Sequence, residues 1–289
     1  MTIYYQTFMP IKTNNIEEII IKAIANEPQK TTNLIEKIQK LRPNTSKQAV
    51  YACLRKLTQE KLILTSQQTV SFNLKHIDQM IRFYSDIKHN YTQANYEGNF
   101  IYLNDGERIV YYFKNSIQTD IFWAHAISIL VENLKEPSSI FNFNPHNYFI
   151  LYNQETEADT IEQIIKKGHI FLIAADKHDF LDKHVKKLYQ DKRIQYHILD
   201  KQFFPTNNHY FNIIGDYIIE TFFDKKTSEA IDHFYKNTHD LTADNIKKLQ
   251  KIISQRGRDK IIISRNKTKA NKLKKRLNKY FYTPKEYKI

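Results

Sequence analysis

The sequence predicts a mixed α/β chain. Three observations predict it: short amphipathic helical stretches and a hairpin in the first seventy residues, a heptad-spaced connector, and a long remainder of alternating strand-like and helical runs. With 289 residues and 41% apolar content, the chain is long enough for more than one core and too apolar for a disordered one.

The elements follow in order. "NNIEEIIIKAIANEP" has Asn15 as N-cap, Glu17 and Glu18 near the helix start, and Ile16, Ile19, Ile20, Ala23 and Ile24 on one face before Pro28. "TTNLIEKIQKLRP" repeats the pattern, with Thr32 as cap and Leu34, Ile35, Ile38 and Leu41 as the stripe. A third helix enters through Thr45 or Ser46. "LILTSQQTVSFNL" then reads as two short strands around Ser66, Gln67 and Gln68. In "LKHIDQMIRFYSDIKHNY", Ile77, Met80, Tyr84, Ile87 and Tyr91 are spaced 3, 4, 3 and 4 apart, a heptad seam that predicts a pairing helix.

From about residue 100, "ERIVYYFK", "SIFNFNP", "HIFLIAAD", "IQYHIL" and "DKIIISRN" read as strands. "TDIFWAHAISILVENL" (capped by Thr119), "ADTIEQIIKKG" (closed by Gly168), "FLDKHVKKLYQDK", "KKTSEAIDHFYKN" and "KTKANKLKKRLNKYF" read as helices. "HYFNIIGDYIIETFFD" reads as a hairpin turning at Gly215–Asp216. Alternation of this kind implies a layered α/β domain. The expected organisation is 1–73, a nucleic-acid-binding domain; 74–95, a helical linker; and 96–289, an α/β domain ending in a basic helix.

Composition excludes several classes. No apolar run approaches the ~20 residues that cross a bilayer. The start, "MTIYYQTFMP", lacks the basic flank and long apolar core of a signal peptide. The single cysteine, Cys53, forms no internal disulfide and no Cys-based zinc cluster. The expectation is a cytoplasmic protein without a membrane partner. Net charge is +13; residues 1–73 hold +5 and 247–289 hold +14, which leaves −6 for the middle. Two basic ends around an acidic body suit a polyanion such as nucleic acid.

The third helix can be tested by geometry. At about 100° per residue, Val50, Cys53, Leu54 and Leu57 share one side, and Gln48, Tyr51, Ala52, Arg55 and Gln59 the other. A merely solvated face in a Lys-rich chain would hold Lys and Glu. An amide, a phenol, a small residue and a guanidinium instead suit a major groove, where Gln pairs with adenine and Arg with guanine. Ser46, Lys47, Lys56 and Lys30 flank that face as phosphate contacts, and Thr31 and Thr32 add hydroxyl and backbone donors. "TSKQAVYACLRKLTQEKLI" resembles the recognition helix of winged helix-turn-helix transcription regulators. That resemblance implies double-stranded DNA as partner, and the heptad seam implies a homodimer.

The phospholipase D superfamily uses His-x-Lys-x4-Asp, with His as nucleophile. "HVKKLYQD" matches at His184, Lys186 and Asp191, but inside an amphipathic helix with Phe180, Leu181, Val185 and Leu188 inward, so the match is discounted. "HYFNIIGD" has His209 and Asp216 in the strand–turn–strand setting, with Phe211 in place of the lysine and no Gly-Ser pair downstream. It resembles a degenerate phospholipase D-like half-site. A phosphodiester transition state needs the cation that Phe does not supply, so the expectation is no enzyme and no catalytic residue. In its architecture, over most of the chain, the combination resembles TrmB-type regulators, which implies a non-catalytic α/β domain that dimerises or binds a small-molecule effector. The glycines form no phosphate loop, and the histidines lack ligand spacing, so neither cofactor nor metal is expected. His125 reads as a core histidine and His146 as a pocket candidate. The alternatives are a phosphodiesterase or nuclease of phospholipase D type, and an RNA- or protein-binding adaptor.

Overall fold

The computed structural model describes residues 15–93, 99–189, 191, 193–284 and 287. The chain divides into two units, residues 1–94 and 95–289. "MTIYYQTFMP" lies outside the described residues.

The first unit contains α1 (Ile16–Ile24), β1 (Gln29–Lys30), α2 (Thr31–Leu41), α3 (Lys47–Gln59), β2 (Ile63–Ser66), β3 (Thr69–Phe72) and α4 (Leu74–Gln93). Helical spacing puts Ile20, Ile24, Leu34, Ile38, Val50, Leu54 and Leu57 in one core with Ile63 and Val70 of the hairpin. Each such side chain contributes about 1.5–3 kcal/mol on burial. Ser46 is the N-cap of α3 and accepts from the Ala49 N–H at 3.1 Å. The cap expected at Thr32 is displaced: α2 starts at Thr31, whose N–H donates to the Gln68 carbonyl at 2.8 Å. The hairpin explains this. Gln67 and Gln68 both have positive φ, 47° and 64°, which closes a tight turn and aims that carbonyl at α2. Strand β1 pairs with β3, so the hairpin becomes a three-stranded antiparallel sheet of order β1-β3-β2. Two residues carry no readable periodicity, and β1 was invisible in the sequence.

The second unit contains β4 (Arg108–Phe113), α5 (Ser116–Glu132), β5 (Ser139–Phe143), α6 (Phe149–Tyr152), α7 (Gln154–Lys166), β6 (Ile170–Ala175), α8 (Phe180–Leu188) and β7 (Ile194–Ile198). It continues with β8 (His209–Ile214), β9 (Tyr217–Phe222), α9 (Lys225–Asn237), α10 (Ala243–Ile253), β10 (Asp259–Arg265) and α11 (Lys267–Leu277). Among the described residues its strands form a seven-stranded sheet of order β4-β10-β9-β8-β5-β6-β7, parallel only across β5-β6-β7. The fold is therefore mixed α/β with a layered sheet.

The period of two sorts the strands onto two cores. Ile140, Phe171, Ile173, Tyr196, Tyr210 and Ile219 face a helical layer that includes Ile127, Ile164, Leu181, Ile231 and Leu249. Phe141, Phe143, Leu172, Phe211 and Ile213 face the other way, onto Phe203 and onto Ala270 and Leu277 of α11. Two local expectations are corrected and one element is added. Helix α5 is capped by Asn115, which accepts from Gln118 N–H at 3.0 Å; Thr119 is buried and donates to Asp259 instead. Phe180 points outward, because the capping box of Asp179 and Asp182 turns the start of α8 so that Leu181 and Asp182 go inward. Helix α10, capped by Thr242, is an element for which the sequence analysis has no counterpart. Among the described residues no helix is long and apolar enough to cross a membrane.

Candidate nucleic-acid face and buried imidazole cluster

The outer face of α3 is built as its spacing required. Val50, Leu54 and Leu57 hold the helix down, while Gln48, Tyr51, Ala52, Arg55 and Gln59 are exposed. Tyr51 is 48% accessible. Among the described residues neither Gln48 nor Arg55 has an intramolecular hydrogen bond or ion pair, so both keep their full donor capacity. Lys47, Lys30 and Thr32 are exposed beside them.

Three of the flanking residues are already occupied. Thr31 is buried and its hydroxyl donates to the Gln68 carbonyl at 3.0 Å, so it is removed from the phosphate contacts. The Ser46 hydroxyl serves the cap. Lys56 pairs with Glu17 of α1 at 2.7 Å, and that contact raises its ammonium pKa. Their competitor in each case is the local fold.

The second polar assembly lies in the α/β unit, past the ends of the parallel strands. His146, in the loop after β5, is 1% accessible. Its Nδ1 lies 3.0 and 3.2 Å from the two oxygens of Asp182 on α8, and its Nε2 lies 3.0 Å from Asp232 Oδ1 on α9. Asp232 also accepts from Asn207, and the ring packs on Tyr235 at 4.0 Å. Burial alone would depress the imidazole, but the two carboxylates outweigh it and its pKa is raised. Both ring nitrogens are engaged by carboxylates in this arrangement. His146, Asp179 and Asp182 do bring donor atoms within 4.8 Å of one another, yet the Nδ1 that would be a ligand is committed to Asp182. The cluster joins the loop after β5 to α8 and α9. Asp182 and Asp232 were not foreseen; the only sequence signal was the Asp179–Asp182 spacing of a capping box.

His209 opens β8 beside the C-terminal end of β5, where Phe143 registers with Phe211. Its Nε2 is 3.2 Å from Glu220 Oε1, and Glu220 Oε2 pairs with Lys269 at 2.6 Å. Burial pushes the Glu220 carboxyl up, but His209 and Lys269 outweigh it and hold its pKa below the ordinary value. The His209 ring lies between Phe204 and Phe222, at 4.2 and 4.3 Å. Phe211 is 1% accessible and belongs to the aromatic core. Asp216 sits at the far end of the hairpin from His209, so the two motif residues do not meet. Likewise His184 lies on α8, while Asp191 pairs with Arg193 beyond it.

No protein-family model matches the chain, and no curated protein matches it. Solved structures similar to the chain include two nuclease-named proteins. One is a phospholipase D family member, Nuc from Salmonella typhimurium, with 10% identity and TM-score 0.35 over 63% of this chain and all of that one. The other is NucT from Helicobacter pylori, with 12% identity and TM-score 0.33 over 60% of this chain and 96% of that one. The expectation of no enzyme runs against these neighbours, one of which is described as a phospholipase D family member. The reading as a winged helix-turn-helix transcription regulator of TrmB type finds no counterpart among them and is set aside; the likeness is to a phospholipase D-like α/β unit.

Proposed function

We propose that the chain binds duplex DNA, with its first unit as the docking part and α3 in the major groove. The observation that supports this most is the joint exposure of Gln48, Tyr51, Ala52 and Arg55, opposite the buried Val50, Leu54 and Leu57. Arg55 reaches guanine N7 and O6, Gln48 an adenine edge, and Ala52 leaves room for close approach. Lys47, Lys30 and Thr32 hold phosphates and set register. The chain acts as a homodimer through α4, whose Tyr84 and Tyr91 are each 56% accessible and whose Ile87 is 38% accessible. Binding of Gln48→Ala/Arg55→Ala to a selected duplex and to a scrambled one tests this. Discrimination should be lost while general affinity persists; undiminished discrimination would refute the assignment of the face.

A second reading is phosphodiester cleavage in the α/β unit. It is supported by the proximity of His209, Glu220 and Lys269 at the strand ends, an imidazole 3.2 Å from a carboxylate that itself pairs with a cation. Hydrolysis of single- and double-stranded oligonucleotides that disappears in His209→Ala would favour it. Hydrolysis unchanged in that variant, or none in wild type, would reject it.

A further inference from the structure

At the end of the sheet away from His209, a cleft of about 500 Å³ opens beside the β8–β9 turn. The residues that follow α5, the end of β10 and one side of α11 form its other walls. Four cations line it, Lys135, Arg265, Lys267 and Lys274, against two carboxylates, Glu136 and Asp216. The cationic excess is local and concave.

Lys274 is the informative residue. It is only 6% accessible, and among the described residues its ammonium has no hydrogen bond or ion pair. Burial of the side chain lowers its pKa, and the nearby Asp216 charge offsets this only in part. Ser139 Oγ, on the same wall, is also buried without a hydrogen-bond partner. Lys274 and Ser139 thus border one cleft, the first with an unpaired ammonium and the second with a hydroxyl of the buried kind that is ordinarily satisfied. Asn271 lies beside them, its amide also without a partner among the described residues. Arg265 is held in place at the rim by its bond to the Leu103 carbonyl at 3.1 Å and by the Tyr217 ring.

The opposite wall is apolar, from Leu130, Leu134 and Ile214. A bare phosphate would fill only a corner of this volume, which falls in the range of small-molecule sites. The geometry points to a binding site for a phosphorylated small organic molecule: the phosphate lies on Lys274, Ser139 and Asn271, and the organic body lies against the apolar wall. Arg265 and Lys267 close over the anion from the rim. This site shares no residue with α3 or with the His209 cluster, so it stands or falls apart from the proposed DNA binding.

Isothermal titration of the full chain at fixed ionic strength tests it, with glucose 6-phosphate, inorganic phosphate and glucose as probes. Both phosphates should bind and compete, glucose 6-phosphate more tightly, and glucose should give no heat. Lys274→Met should weaken glucose 6-phosphate at least about tenfold, the scale of a lost hydrogen bond to a charged group. Ser139→Ala should weaken it less, and Lys275→Met, at an exposed position of the same helix, should leave it unchanged. The unliganded Lys274→Met protein should melt no lower than wild type, because the substitution keeps the largely buried stem and removes a charge that burial disfavours. Absence of heat with both phosphates would overturn the proposal. Equal losses in Lys274→Met and Lys275→Met would overturn it too, because that is the signature of a diffusely basic helix.

Discussion

Asp120→Asn offers a quantitative check on the packing of the α/β unit. Asp120 lies on α5, 5% accessible; one oxygen accepts from Tyr152 OH at 2.7 Å, and the other has no partner. Glu157, also 5% accessible, is close enough that the Asp120 charge, after burial, raises its carboxyl as well. Burial lifts the Asp120 pKa from the ordinary 3.8 to about 6, against the lowering effect of the Tyr152 bond. Because the folded pKa lies above the unfolded one, the unfolded chain loses its proton first. Stability therefore falls as pH rises from about 4 to about 6 and is level above that. A rise of this size corresponds to about 3 kcal/mol lost by pH 7. Asparagine keeps an acceptor for Tyr152 and carries no charge. The variant should be about 1–3 kcal/mol more stable than wild type at pH 7, or several degrees in Tm. The gain should fade to nothing near pH 4. Thermal unfolding followed by circular dichroism at pH 4, 5, 6 and 7 reads this directly. An increment that is constant across pH, or a lower Tm at pH 7, would refute the reasoning.

Three further outcomes follow from named contacts. His146→Gln should cost about 3–5 kcal/mol below pH 6, because it leaves Asp182 buried without its cation. The raised imidazole pKa means that this stabilisation is fully present below the unfolded pKa and is lost as pH rises through the folded one. The penalty should therefore shrink in alkaline buffer, which melting curves at two pH values would check. Replacing Gln67-Gln68 by Asn-Gly should raise the stability of the first unit by about 1 kcal/mol, since both positions have positive φ. Denaturant midpoints would register that. Ile87→Asp should convert a dimer to a monomer in sedimentation equilibrium; a dimer that persists would place the contact elsewhere than α4.

The sequence was most informative where one physical demand acts alone. Val50, Leu54 and Leu57 had to face inward whatever packed on them, so the two sides of α3 could be separated by angle. Gly215 announced its turn because its φ of 57° is open to glycine and strained for other residues. Elements set by partners distant in sequence stayed hidden. Strand β1 exists because β3 is beside it, and Thr31 is buried because a carbonyl 37 residues later reaches its hydroxyl. The histidines show the same limit. His146 gives no hint in sequence of Asp182 and Asp232, which lie 36 and 86 residues away on two other helices. Lys274 was passed over among outward-facing lysines. It lies four residues after Ala270 and three before Leu277, so helical spacing puts it on the inner face of α11, and only its charge argued otherwise. The unread helix α10 was lost because its lysines masked the stripe that ends in Leu249 and Ile253.

The most direct measurement is selection of bound duplexes from a random pool by the purified full chain, followed by sequencing of the winners. Docking by a paired α3 predicts enrichment of an inverted repeat whose half-sites are read by Gln48 and Arg55, and no such enrichment with the Gln48→Ala/Arg55→Ala chain. A pool that stays random, held only by salt-sensitive contacts, would contradict the account.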